Sequence, residues 1–408
     1  MNDLLSVEEA QELILHSVQT FSETVEMSLL QAVGRALAED IVSPVHVPPF
    51  DNAAVDGYAV VAKDTESATV NSPARLRVVR TVHAGDVADF TIGRGEAARV
   101  MTGAPVPVGA DAMVMIEDTE QRGSEVWIKS PARIGQHIRR RGEAVAQGNT
   151  VLQKGQSLGA GEILALAAIG RGSVPVIRPA SVCLLTTGDE LVEPGQPLPA
   201  GKIYNSNRYA LSVQIGETGA VLDSLHVPDD PVATREALRQ AQEHDMVLTA
   251  GGVSVGERDF VKQAVQSLGE LRFWRVAVKP GKPIAFGRVG QALFVGLPGN
   301  PVSAMVTFEL FVRPALRKMM GHRHLFRPQV QATLEHDLGA IGGRREYIRG
   351  RLRWSDGRWL ARSTGSQASG MVASMIGANA LIVAPARSEL RQGDLVNVIM
   401  IDLPSGNG

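Results

Sequence analysis

Apolar positions along this chain fall into three successive textures. Near the start, Ala10, Leu13, Ile14, Val18 and Phe21 recur at helical intervals behind Ser6-Val7-Glu8-Glu9, a segment with capping-box spacing. A second start at Ser28, with Gln31 three residues on, leads into Leu30, Val33 and Leu37 and predicts a second opening helix. From about residue 41 to 145 the runs become short and β-type, as in Tyr58-Ala59-Val60-Val61 and Ala112-Met113-Val114-Met115-Ile116, with Gly- and Pro-rich turns between them. A helix over 161–169 then returns the chain toward the opening helices. In the third texture, buried-type strands at 181–185, 221–227, 245–249 and 292–295 alternate with helical segments at 207–218, 231–243, 259–268 and 302–319. Such alternation predicts a doubly wound parallel sheet with helices on both faces. After His322-Arg323-His324 the helices stop, and short strands at 349–354 and 380–383 predict a small barrel-like β unit. The fold class is therefore α/β with β-rich flanking domains. Its expected units are a helical and linker domain from 1–45 plus 145–177, an inserted β-rich domain over 46–144, the α/β domain over 178–325, and a C-terminal β domain over 326–408.

Composition narrows the function classes. The chain has 408 residues, too many for one ordinary core, with 44% hydrophobic and 21% charged residues, the balance of a soluble globular protein. A formal net charge of −2 and an aromatic share of 4% provide neither the basic field nor the stacking platforms of a nucleic-acid binder. No apolar stretch is long enough to span a bilayer, and Met1-Asn2-Asp3-Leu4-Leu5 lacks the basic start and apolar block of a signal peptide. The single cysteine, Cys183, fits a reducing cytoplasm.

Candidate chemistry gathers where strands of the α/β block run into glycine-containing turns. These are Thr186-Thr187-Gly188-Asp189-Glu190, Thr249-Ala250-Gly251-Gly252-Val253-Ser254 and Gly296-Leu297-Pro298-Gly299-Asn300-Pro301. In a parallel sheet such turns share the carboxyl edge, where helix N-termini present free amides to an anion. Carboxylates sit beside them: Asp189-Glu190, Asp229-Asp230, and Glu257 with Asp259. An anion pocket lined with acids needs a hard cation to bridge them, so magnesium is the natural inference. Asp229, Asp230 and Asp259 each precede a predicted helix and could equally be caps; Glu190 has no such alternative. Positive charge arrives at Arg275 and in Lys279-Pro280-Gly281-Lys282-Pro283, which reads either as an anion-binding loop or as an exposed hairpin with solvated lysines. Asp56 and Asp111 lie in tight loops and read as turn acceptors, Arg139-Arg140-Arg141 as a phosphate contact or a solvated turn, and His322 and His324 as surface residues.

Taken together, the segments Asp51 to Ala59, Thr102 to Ala112, Arg139 to Glu143, Thr186 to Leu191, Gly251 to Asp259, Lys279 to Pro283 and Leu297 to Ser303 resemble the molybdopterin molybdenumtransferase family, which includes the C-terminal domain of gephyrin. The resemblance implies a molybdopterin-binding α/β domain in an elongated, multi-domain homodimer whose site combines that domain with a β-rich domain of the partner. It implies a magnesium-dependent reaction of molybdate with adenylylated molybdopterin that yields molybdenum cofactor and AMP. Glu190, Asp230 and Asp259 match metal-binding acids, with Glu190, Asp259 and Asp56 catalytic. Thr102, Lys279, Arg349 and Ser369 match functional positions, with Lys279 and Arg349 on molybdate or phosphate, and Thr187, Gly188, Asp230, Gly251, Gly252, Ser254, Arg275, Lys282 and Pro298 complete the candidate binding set. Transient contacts with an adenylyltransferase and with metal-free molybdoenzymes are implied as well. Three departures stand out: Ala53 and Val55 replace serine and methionine, Arg275 replaces lysine, and Ala144 replaces aspartate. The alternatives are a molybdopterin adenylyltransferase, a non-catalytic pterin-binding scaffold, and insertion of tungstate in place of molybdate.

Overall fold

The computed structural model describes residues 4–253 and 260–403. Helix α1 (Val7–His16) opens with the capping box its sequence predicts: Ser6 Oγ accepts from Glu9 N, and the Glu9 carboxylate accepts from Ser6 N at 2.7 Å. The second opening helix does not form. Thr24–Ser28 is a strand paired antiparallel with Ser173–Ile177, and residues 29–34 are turns. Val25 and Met27 alternate toward a core of Leu37, Val174 and Val176, so two-residue periodicity outcompetes the helical one. The apparent capping signal, Ser28 with Gln31, is a local side-chain hydrogen bond of 2.8 Å.

Val7, Ala10, Ile14 and Val18 pack into the core of the α/β unit rather than into the helical and linker domain expected from 1–45 plus 145–177. That linker unit instead closes over Leu37, Ile41, Leu152, Leu158, Val174 and Val176, with Leu166 of helix α2 (Ala160–Ala168) and Ile169 just past its end. Helix α2 therefore does not return to α1. The inserted region carries a six-stranded sheet in the order Ala112–Met115, Gly57–Val60, Glu96–Val100, Ala74–Val82, Glu125–Ile128, Thr119–Arg122.

The central sheet also has six strands, ordered Val221–Val227, Ser181–Thr187, Met246–Ala250, Ala292–Leu297, Pro283–Val289, Gly269–Arg275. The first four are parallel, as the strand–helix alternation predicts. Pro283–Val289 pairs antiparallel with both of its neighbours, Ala292–Leu297 and Gly269–Arg275, so the sheet is mixed. Consecutive residues of each inner strand face opposite sides: Val182 and Leu184 enter one core, Cys183 and Leu185 the other. That is why these strands read as unbroken apolar runs. Helices α3 (Ser206–Thr218), α6 (Pro301–Thr307) and α7 (Arg313–Met319) cover the first face together with α1; α4 (Pro231–Ala241) and α5 (Phe260–Leu268) cover the second. Val221–Val227, expected among the buried strands, is an edge with Val221 and Leu225 exposed, since it has a neighbour on one side only.

In the C-terminal region, Arg345–Ser355, Arg358–Ser363, Gln329–Leu334, Leu395–Met400 and Ala380–Ala384 pair in that order, and the last returns to the first. The result is a closed five-stranded barrel filled by Ile348, Leu352, Ala361, Ile382 and Val398. Val278–Lys279 of the α/β unit adds to its wall, parallel to Arg345 and Glu346. His322, expected at the surface, is 6% exposed at the end of α7, where its Nδ1 lies 2.8 Å from Ser157 Oγ of the linker unit.

Candidate active site

The parallel strands end in register, with Thr186 beside Ala250 and Ala250 beside Leu297, so the three glycine turns meet at one edge. Together with the segment leading into α3 they line a cleft of about 530 Å³. Its walls include Thr187, Gly188, Glu190, Gly251, Gly252 and Pro298, six of the residues expected there. Helices α3 and α6 begin at this edge, with Ser206 and Pro301 among the cleft walls, so free backbone amides and the positive ends of their dipoles face it. A hollow of about 670 Å³ lies at the opposite edge, beside residues 17–23 and 242–245. Its Asp245 is already bound to Arg178 at 2.7 Å and it receives no helix N-terminus from the parallel strands, so the carboxyl edge is the chemical one.

Gly188 shows why this turn needs glycine. Its φ is +140°, and an added Cβ would stand 2.5 Å from a carboxylate oxygen of Glu190, which folds back across it. Glu190 is thereby presented at the cleft wall, and Asp229 lines the cleft nearby. Asp189 and Asp229 brace the two turns: Asp229 N donates to Asp189 Oδ1 at 3.1 Å and Asp189 N to Asp229 Oδ2 at 3.4 Å. Asp230 instead caps α4, its Oδ1 accepting from Ala233 N at 2.7 Å. Ser254, Glu257 and Asp259 lie outside the described residues. Among the described residues, no three His, Cys, Asp or Glu side chains cluster as a preformed metal cage.

The lysine loop abuts the same cleft through Pro283. Pro280 and Gly281 are buried while Lys279 and Lys282 are exposed, so the backbone is fixed and the ammonium groups are presented. Lys279 Nζ donates to Glu346 Oε1 at 2.9 Å, tying the loop to the barrel. Arg275 ends its strand partly exposed. Arg349 is 1% exposed; its Nε donates to Ser374 Oγ and its Nη2 to Ala368 O. Burial pushes this guanidinium down to about 10, with Glu346 opposing the shift. Ser369 accepts from Asn300 Nδ2 at 3.0 Å, joining the loop over Arg349 to the cleft wall.

Asp56 and Thr102 form a separate pair in the inserted sheet. Asp56 Oδ1 accepts from both the backbone N and Oγ1 of Thr102, each at 2.7 Å. These bonds, with the Arg99 charge, hold its carboxyl below the usual range. Among the described residues no hydrogen bond or ion pair joins this pair to the cleft of its own chain. Asp111, expected to close a turn of its own loop, instead accepts from Ala62 N at 2.6 Å, 49 residues away, and ties two segments of the inserted unit together. Arg140 pairs with Asp51 at 2.6 Å, which gives the arginine run a structural part in closing that loop.

The region 5–170 matches the MoeA N-terminal region (domain I and II), 183–318 the probable molybdopterin binding domain, and 331–401 the MoeA C-terminal region (domain IV). Molybdopterin molybdenumtransferase 2 of Mycobacterium tuberculosis (strain CDC 1551 / Oshkosh) is 39% identical over 88% of this chain and 94% of its own length. The molybdopterin molybdenumtransferase of Haemophilus influenzae is 36% identical over 97% of this chain and 98% of its own. The chain belongs to the molybdopterin molybdenumtransferase family. A solved molybdopterin biosynthesis moeA protein from Pyrococcus horikoshii OT3, 33% identical, superposes with a TM-score of 0.84 over 98% of this chain and 100% of its own.

Within that family setting, sequence reasoning passed over the entry to α3. Asn205 caps this helix and donates through Nδ2 to buried Thr186 Oγ1 at 2.8 Å. Asn207 lines the cleft and donates to Gly299 O at 2.6 Å, while its Oδ1 is buried without a partner. An acceptor left unpaired in a cleft wall is a place for a ligand N–H. The signal was present as an Asn-Ser-Asn run just ahead of a predicted helix. Of the departures, Ala53 is fully buried in the strand pairing with Ile138, and Ala144 is exposed.

Proposed function

We propose that this protein transfers molybdenum from molybdate into adenylylated molybdopterin, releasing AMP and forming molybdenum cofactor. The observation that carries the reading is the convergence of three glycine turns, Glu190 and Asp229 on one cleft at the carboxyl edge of the central sheet. Backbone amides of those turns bind the phosphates, and Asn207 Oδ1 accepts an N–H of the base or pterin. Lys279, Lys282, Arg275 and Arg349 supply positive charge for molybdate or phosphate, with Ser369 holding the loop over Arg349 against the cleft.

Magnesium fits this donor set. The available side-chain ligands are carboxylate oxygens, and Mg²⁺ is held by one or two carboxylates together with substrate phosphates and water, so no three-carboxylate cage is needed. Glu190 and Asp229 would hold it here, with Asp259 carried by the family resemblance; Asp230 has one oxygen committed to the α4 cap. The bound ion would neutralise phosphate charge as the adenylate is cleaved. Asp56, kept ionised by Thr102, serves as a fixed acceptor and not as an acid. Its separation from the cleft of its own chain supports a homodimer in which the partner's inserted domain completes each site. The reading places the reaction in the cytoplasm; among the described residues no helix is long and apolar enough to cross a membrane.

The test is purified protein with adenylylated molybdopterin, magnesium and molybdate, read out by activation of a metal-free molybdoenzyme. Glu190→Ala abolishes activation while the dimer stays folded. Full activity in that variant discards the role given to Glu190, and consumption of ATP without molybdate would replace the reading with an adenylyltransferase.

A further inference from the structure

The barrel strand Arg345–Ser355 carries arginines on alternate positions: Arg345, Arg349, Arg351 and Arg353. The intervening Ile348 and Leu352 fill the barrel core, so the arginines belong to the outer face. Arg345 is paired with Glu8 and Arg353 with Glu335. Arg349 is buried beneath the loop that reaches the cleft through Ser369. Arg351, the next outward position from Arg349, is exposed and makes no hydrogen bond or ion pair with the described residues. The residue directly across the antiparallel pair from Arg351 is Arg362, also exposed and likewise unpaired among the described residues.

Like charges directly opposite each other on antiparallel strands are destabilising. The neighbouring cross-strand pair, Leu352 with Ala361, faces the core and fixes the register, so neither arginine can leave this face by slipping. Arg351 and Arg362 are cross-strand neighbours two residues along the strand from buried Arg349. The loop covering Arg349 reaches the cleft wall through Ser369 and Asn300, so the three arginines line up positive charge toward the cleft. The Arg351 guanidinium also lies against the loop past Arg349, with Nη2 2.9 Å from where a Cβ on Gly377 would stand. That glycine leaves room for it.

We propose that Arg351 and Arg362 form an outer docking step for a tetrahedral oxyanion, which they capture from solvent and pass toward Arg349. The proposal rests on the transferase reading above. The oxyanion is either free molybdate or a phosphate group of the adenylylated pterin; both present the acceptor geometry that paired guanidinium groups grip. Exposed charges of this kind hold an anion weakly and raise its concentration at the surface, so they contribute to its equilibrium binding, and salt suppresses them.

The experiment compares wild type with the double variant Arg351→Ala, Arg362→Ala and with the double lysine variant, in the molybdoenzyme-activation assay at low and high salt. One arm varies molybdate at saturating adenylylated molybdopterin; the other varies the pterin at saturating molybdate. The expected result is a KM raised at least about threefold in one arm at low salt, with kcat kept, the difference fading at high salt. The lysine variant recovers most of the loss. The arm that responds identifies the anion. Unchanged KM in both arms overturns the proposal, as does a fall in kcat without a change in KM, which marks a structural role. Equilibrium dialysis with molybdate alone, and with adenylylated molybdopterin alone, separates the two readings. Anion binding weakened in the alanine variant of a wild-type protein that does not turn over defeats the transferase reading and keeps the docking step. Undiminished binding of both anions defeats the docking step.

Discussion

Glu190 reaches the cleft because Gly188 leaves it room. A methyl group at Gly188 would occupy the space of the carboxylate and would sit at φ +140°, outside the range comfortable for L-residues. Gly188→Ala therefore cuts molybdate insertion at least about tenfold while stability falls by only about 1–3 kcal/mol. Activity against urea midpoint checks this, and full activity would show that the placement of Glu190 does not matter. The neighbouring aspartates separate in the same way. Asp229 lines the cleft and Asp230 caps a helix, so Asp229→Asn loses more activity than Asp230→Asn, whose amide oxygen still caps. Asp230→Ala costs about 1 kcal/mol of stability. An Asp230→Asn enzyme less active than Asp229→Asn would return the metal role to Asp230.

Among the elements, the segment from α6 to α7 is instructive. It reads as one helix in the sequence, but a π-helical turn over Phe308–Val312 interrupts it ahead of Pro314. Proline has no N–H, so the Leu310 carbonyl loses the donor four residues on. Gln11 of α1 takes that place, its Nε2 donating to Leu310 O at 2.9 Å. The packing of α1 on the α/β unit thus has a polar reason as well as the apolar one of Val7, Ala10 and Ile14. Gln11→Ala leaves a part-buried carbonyl unsatisfied and lowers stability by about 1–3 kcal/mol. In a Pro314→Ala background, where a backbone N–H returns, the same change costs less. Equal costs in the two backgrounds, measured by denaturant unfolding, would refute the link.

At the scale of the molecule, the units meet through a few polar contacts. Lys279 with Glu346 and Asn300 with Ser369 bind the barrel to the cleft. His322 with Ser157 binds the linker unit to the end of α7, and Arg35 reaches across to the Gly219 carbonyl after α3. Burial first, then the charges of Arg317, Arg313 and Arg35, push His322 down to about 3. An unfolded histidine titrates near 6.5. This junction is therefore at full strength above about pH 6.5 and loses stability as pH falls, by up to about 1.4 kcal/mol per pH unit. Urea midpoints at pH 7.5 and pH 5 will show the loss, and His322→Gln will flatten it; a wild-type midpoint unchanged between the two would refute it. The proposed homodimer is tested by mixing. Asp56→Asn and Glu190→Ala are each inactive alone, and co-refolded together they recover activity if one chain's inserted domain serves the other's cleft. No recovery would place both residues in one chain's site.

The sequence by itself determined the strand–helix alternation, the three glycine turns and the identity of the acids beside them. Each of these is a local pattern: a two-residue alternation, a helical period, a glycine where the backbone must turn. It also limited Glu190 to few roles, since no helix start competes for it. Tertiary structure decided the rest. Ser28 with Gln31 carries a helix signal that pairing with a strand about 145 residues further along overrides, because a paired strand with Val25 and Met27 packed on one side outweighs local propensity. The partners of Gln11, Asn300 and Lys279 lie 299, 69 and 67 residues away, separations no local pattern encodes. The division of labour between Asp229 and Asp230 hangs on a single peptide unit, and only the fold settles which carboxylate meets the helix amides and which meets the cleft.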